Sequence, residues 1–211
     1  MDMADVRIEL YWLPVGAGEP TGLVRLSGRA YEAASARLER RPSRPLFHSA
    51  LRVFVDDAEF VVEMAPVWAS DLRDRGVVAE GAVGRPWLGR SRWFRYEIRC
   101  WRGGVIPDRA YAVGGPVRID TDPARVERFL RAVRRFPTAT WGRDEQRAGE
   151  MWNSNSLVSW ALSVSGHDLS DVVPPMGGRA PGWAAGMAVA ARDVAARDVA
   201  ARDVGSAPAA S

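Results

Sequence analysis

No lysine occurs among the 211 residues, so all 29 basic side chains are arginines, set against 15 aspartates and 11 glutamates for a formal net charge of +3. A charge that small does not by itself argue for nucleic acid. An all-arginine complement fits either a GC-rich coding bias or a use for planar, fork-shaped anion binding. One cysteine, Cys100, excludes an intrachain disulfide and an all-cysteine metal site. Two histidines, His48 and His167, leave no zinc cluster, so neither metal nor cofactor is expected. No run approaches the ~18 apolar residues of a membrane span, and no apolar targeting segment follows the acidic start. A soluble, cytoplasmic chain without a membrane span is expected. Glycine-rich phosphate loops, His-x-x-x-His and Gly-x-Ser-x-Gly are also missing, which removes support for nucleotide hydrolysis, zinc hydrolysis and the α/β-hydrolase mechanism.

What is present reads as one α+β domain over residues 1–183 and a tail over 184–211. Hydrophobic residues at 47% with 26% charged are globular values, enough for one packed core. Residues 6–13 alternate and stop at Pro14, predicting an edge or early strand. Ser27 to Arg41 has helical spacing. A hairpin follows, 46–55 and 59–68 about Asp56-Asp57, and its two-residue turn makes paired numbers sum to an odd value. Leu51, Val53 and Val55 then share a core face with Phe60, Val62 and Met64, and the opposite face carries His48, Arg52 and Glu63.

Residues 69–95 read as a long surface loop. Strands are expected near 93–101 and 117–119, and a helix after the Asp122-Pro123 cap. A buried helix is predicted after Asn153-Ser154-Asn155-Ser156, where short polar side chains either cap free N–H groups or frame a nucleophile. The Ala-Ala-Arg-Asp-Val repeat from 190 to 204 predicts a frayed helix and then disorder.

The segments Phe47-His48-Ser49-Ala50-Leu51-Arg52-Val53 and Trp152-Asn153-Ser154-Asn155-Ser156-Leu157-Val158-Ser159-Trp160 cover about a quarter of the chain. In that order they resemble the circularly permuted papain-like hydrolases, the branch of the NlpC-type peptidase superfamily that includes lecithin:retinol acyltransferase-like proteins. With Gly178-Arg179-Ala180-Pro181-Gly182-Trp183 they are also similar to uncharacterised bacterial proteins. The resemblance implies an antiparallel sheet with two or three packed helices and an acyl-transfer hydrolase acting on an amide or ester. Ser156 stands where the family has cysteine and would be the nucleophile, His48 the base and Glu63 the orienting carboxylate, with Trp152, Asn153 and Asn155 lining a pocket for a small-molecule or peptide substrate. Serine depends wholly on its base where cysteine does not, so the same resemblance is compatible with a pseudoenzyme.

A rival reading rests on charge. From Arg85 to Arg109 seven arginines interleave with Trp87, Trp93, Phe94, Tyr96 and Trp101, and Arg125, Arg128, Arg131, Arg134 and Arg135 follow on the next helix. Aromatics among arginines suit single-stranded nucleic acid or an acidic partner, with the protein acting as an inactive binding module.

Overall fold

A computed structural model describes residues 6–18, 22–67 and 75–205. The architecture is α+β, a six-stranded antiparallel sheet with four helices. The strands are β1 (Arg7–Pro14), β2 (Phe47–Val55), β3 (Ala58–Pro66), β4 (Val77–Ala82), β5 (Arg95–Arg102) and β6 (Val117–Asp120), in the sheet order β4-β5-β3-β2-β1-β6. The helices are α1 (Leu23–Leu38), α2 (Pro123–Val133), α3 (Ser154–Val164) and α4 (Trp183–Gly205).

The β2–β3 register pairs Leu51 with Val62 and Val53 with Phe60, as the odd-sum hairpin requires. Strand alternation then divides the sheet. Ile8, Leu10 and Trp12 of β1, Phe47, Leu51 and Val53 of β2, and Tyr96, Ile98 and Cys100 of β5 join the main core with α2, α3 and the start of α4. Tyr11, Leu13, Ala50 and Val61 point the other way, into a small cluster closed by Ile106 and Trp101. The first surface is the near face below and the second the far face.

Several expectations change. β1 is an interior strand, because β6 pairs along its outer side. α1 starts at Leu23 on Gly22, whose left-handed backbone (φ 69°) makes the turn without a side-chain cap, and the Ser27 hydroxyl bonds back to the Val24 carbonyl inside the helix. The stretch expected to be a loop over 69–95 contains edge strand β4, paired to β5. Residues 68–74 lie outside the described residues. The tail expected from 184 as a frayed helix or disordered chain forms α4, and its first turns are core: Ala185, Val189 and Ala190 are buried. That helix approaches α3 so closely that a Cβ at Gly186 would fall 2.1 Å from the Ser159 hydroxyl and 2.5 Å from the Ser156 carbonyl. Among the described residues no helix is long and apolar enough to cross a membrane.

Candidate functional site

α3 opens on Asn153, whose Oδ1 accepts from Asn155 N (2.9 Å) and Ser156 N (3.3 Å), while Ser156 Oγ accepts from Asn153 N (3.2 Å). That reciprocal box satisfies donors a helix start leaves unpaired. The same side chains reach outward to clasp the fold. Asn153 Nδ2 donates to Pro181 O (2.8 Å), and Asn155 Nδ2 donates to Phe47 O (3.0 Å) and Pro181 O (2.9 Å). Ser49 Oγ donates to Asn155 Oδ1 (2.8 Å), and Ser156 Oγ donates to Gly182 O (2.8 Å). Gly182 has φ +88°, and a Cβ there would lie 2.4 Å from Asn153 Oδ1. The expected nucleophile is thus a fully buried hydroxyl, at 0% exposure, with its proton held by a backbone carbonyl.

The expected base is elsewhere. Because Ser49 faces α3, its neighbour His48 must face the far side of the sheet, where its Nε2 lies 2.7 Å from Asp108 Oδ2. The sheet therefore separates His48 from Ser156, and the pairing expected from the resemblance is not formed. Glu63 does share the His48 face, but it pairs with Arg99 (3.0 Å) and orients no imidazole; Arg52 takes Glu59 (2.5 Å). Burial pushes the Glu63 carboxyl up against the opposing pull of Arg99, and the Asp108 charge adds to the rise. Trp152 is buried, stacks on Phe136 at 4.8 Å and donates from Nε1 to Pro137 O. Cys100 is a buried core thiol that burial raises in pKa.

Asp108 is the partner that the sequence reading missed. It sits 60 residues beyond His48 in an irregular segment between β5 and β6, and no spacing in the chain connects the two. With His48 at 32% side-chain exposure and Asp108 at 18%, this pair is open to water. An imidazole held by a carboxylate can take or give a proton, but among the described residues no hydroxyl or thiol is bonded to it.

The basic surface also divides. In α2, Arg125 is bound to Asp120 (2.6 Å), Arg131 pairs with Glu127, and Arg128 donates to Ser165 O. Arg99 is buried among Glu63 and Glu97, and Arg95 meets Glu80 (3.2 Å). Arg102, Arg134 and Arg135 are exposed and without a described ion pair, and so are Arg85, Arg90 and Arg92 on the bend between β4 and β5. Two short 3-10 turns form it, Pro86–Arg90 and Arg92–Phe94. The bend is pinned at its base by Val83 N to Phe94 O (2.8 Å) and Gly84 N to Trp141 O (2.9 Å). Gly89 lies so close to β4 that a Cβ would come 2.9 Å from Ala82 Cβ. With that side turned down, Trp87 and Trp93 project outward, each 65% exposed, next to Phe94. Arg92 lies over the Trp93 ring. The nearby carboxylates are exposed and accept from backbone N–H groups, Glu145 from Thr140 N and Asp144 from Ala148 N and Gly149 N, and Glu145 also feels the charge of Arg143.

Comparison with protein-family models, curated proteins and solved structures finds no match for the chain. The site is read from geometry alone.

Proposed function

We propose that the chain is a binding module whose arginine and tryptophan bend, residues 85–94, takes single-stranded nucleic acid. The observation that carries this is the pair of indoles, Trp87 and Trp93, held in water beside guanidiniums that no described carboxylate neutralises. Leaving two such rings exposed forgoes about 25 cal/mol for each Å² of apolar surface not buried, a cost that makes sense for a surface meant to be covered. Indole faces stack on any base and arginines pair with phosphate, so the chemistry matches an extended polyanion with aromatic groups and is indifferent to its sequence. Acyl transfer at Ser156 is the weaker reading, because its hydroxyl is a satisfied cap and its expected base lies across the sheet.

The test is fluorescence anisotropy with a labelled oligouridylate longer than the ~4–16-nucleotide footprint of a single-strand-binding fold. Binding should quench tryptophan emission and weaken steeply with salt, and Trp87→Ala and Trp93→Ala should each cost about 1–3 kcal/mol. Polyglutamate competing as well as the oligonucleotide would assign the surface to an acidic protein partner and overturn the proposal. Binding unchanged in both tryptophan variants would do the same.

A further inference from the structure

A second concave region lies at the other end of the molecule, where the β1–α1 turn, α1 and the segment leading into β2 meet. It is a cleft of about 440 Å³. It shares Pro14, Val15 and Arg25 with an adjoining hollow of about 520 Å³ that runs along the glycine turn to Tyr111. Such volumes suit a small organic molecule.

The charges around it are unequal. Glu32 lies at the cleft, buried, and is already held by Arg41, by Arg179 (3.1 Å) and by the backbone N–H of Arg44 (2.9 Å). The bond from Arg41 lowers the pKa of its carboxyl, so it is an anion with its counter-charges in place. Arg25, Arg29 and the Arg44 side chain line the same cleft, and none has a hydrogen bond or ion pair among the described residues. Three exposed guanidiniums thus surround a space whose one acid among the described lining residues is already neutralised. Their positions are fixed by backbone. A Cβ at Gly16, which has φ +78°, would fall 2.5 Å from Arg25 N, so the turn presses directly on the first turn of α1. Gly28 sits against Val15 in the same way, and Val15 with Leu46 gives the cleft apolar walls.

We propose that this cleft binds a small phosphate monoester, its phosphoryl group between Arg25, Arg29 and Arg44 and its organic body against Val15 and Leu46. A phosphate carries close to two negative charges near neutral pH and accepts on three oxygens, which matches three guanidinium forks better than the single charge of a carboxylate does. The far hollow ends at Gly18, whose missing Cβ would lie 3.1 Å from the Tyr111 ring and 3.6 Å from Asp108 Cβ. The His48–Asp108 pair thus stands directly behind that wall. This site is separate from the nucleic-acid surface, which sits by the opposite edge of the sheet.

Phenyl phosphate titrated into the full chain by isothermal calorimetry tests the assignment, with benzoate as the carboxylate probe of the same ring. Saturable binding of phenyl phosphate is expected, about tenfold or more tighter than benzoate. Arg25→Gln and Arg29→Gln should each weaken it about tenfold, the usual effect of removing one charge-assisted bond. Arg131→Gln, on the exposed face of α2, should leave it unchanged. Both substituted arginines are exposed, and unaltered thermal melting of the unliganded variants separates lost binding from lost folding. No saturable binding, equal affinity for benzoate, or full affinity in the Arg25→Gln/Arg29→Gln double variant each overturns the proposal.

Discussion

The near face of the sheet buries a polar cluster in which Asn153, Asn155 and Ser156 have several partners each, while the far face leaves His48 with one partner and partial access to water. Both clusters consist of residue types that do chemistry, and residue type alone does not tell them apart. Their surroundings differ. Donors and acceptors on the near face are spent on fixing Phe47, Pro181 and Gly182, so they hold β2, the turn before α4 and α3 together. On the far face the rows of charge, Arg52 with Glu59 and Arg99 with Glu63 and Glu97, flank a histidine whose role in holding the chain is small. Burial with full satisfaction marks structure; exposure with incomplete satisfaction marks a place where a ligand can still contribute.

Asn155→Leu is the strongest way to break this comparison. It removes bonds to Ser49 Oγ, Phe47 O and Pro181 O and strips the first two of that buried partner, while Pro181 O keeps the bond from Asn153 Nδ2. At ~1–3 kcal/mol for each buried group left unsatisfied, the loss should reach about 3 kcal/mol or more, read by urea denaturation. A change below about 1 kcal/mol would mean that the near-face cluster is not the clasp described.

Ser156 comes next. Ser156→Ala keeps the packing but removes the bond to Gly182 O and one arm of the capping box, so about 1–2 kcal/mol should be lost. Ser156→Cys gives the sharper reading: a thiol at this buried position should alkylate with iodoacetamide no faster than the buried Cys100. Fast alkylation that disappears in a His48→Ala background would restore the papain-like pairing across what is here a closed sheet.

The two histidines carry the comparison into pH. His167 lies among the helices, with Nδ1 beside Ser165 Oγ (2.9 Å) and Nε2 3.1 Å from Asp120, and burial pushes its pKa below 6.5. In the unfolded chain it binds its proton near pH 6.5, so the unfolded state takes up more protons just below that value. Its contribution is fully present above pH 6.5 and is lost as pH falls towards the lowered folded value, at no more than about 1.4 kcal/mol per pH unit. Glu63, raised by burial, works in the opposite sense: its contribution is present below the ordinary carboxylate pKa and lost as pH rises through its raised one. Stability measured in urea from pH 7 downward should therefore fall less steeply in His167→Gln than in the parent chain. Parallel slopes would show that His167 is not held neutral by the fold.

How much of this could be read in advance differs by element. The β2–β3 register followed from turn length and alternation, and α2 from Asp122 and Pro123, whose cap bonds to Ala124 N and Arg125 N are present. These are local devices. β4 was not legible because Val77–Ala82 includes Gly81 and gains its strand character only by pairing with β5, nearly twenty residues on. The buried start of α4 was hidden because its contacts are made by small residues: Ala185, Gly186 and Ala190 have no apolar stripe, yet they let α3 approach closely. The candidate site failed on a point the sequence contained. Strand alternation puts His48 on the face opposite the core and the apolar pattern puts Ser156 on a buried helix, and those placements exclude contact through a sheet. Asp108 lay beyond reach, since only the long excursion between β5 and β6 brings it to His48.

The smallest expected effect is the most discriminating for the far face. His48→Ala removes a single bond, Nε2 to Asp108 Oδ2 at 2.7 Å, between side chains that both retain access to water. Asp108 can then be solvated where it stands, so the desolvation cost that makes Asn155→Leu severe does not arise, and the loss should stay below about 1 kcal/mol. The neighbouring charges keep their own partners, because Glu63 is held by Arg99 and Arg52 by Glu59 whether or not the imidazole is there. Urea denaturation of the His48→Ala chain beside Asn155→Leu checks this directly. A His48 loss as large as the asparagine loss would make the His48–Asp108 pair a structural staple, and the contrast between the two faces would no longer separate structure from a site open to ligand.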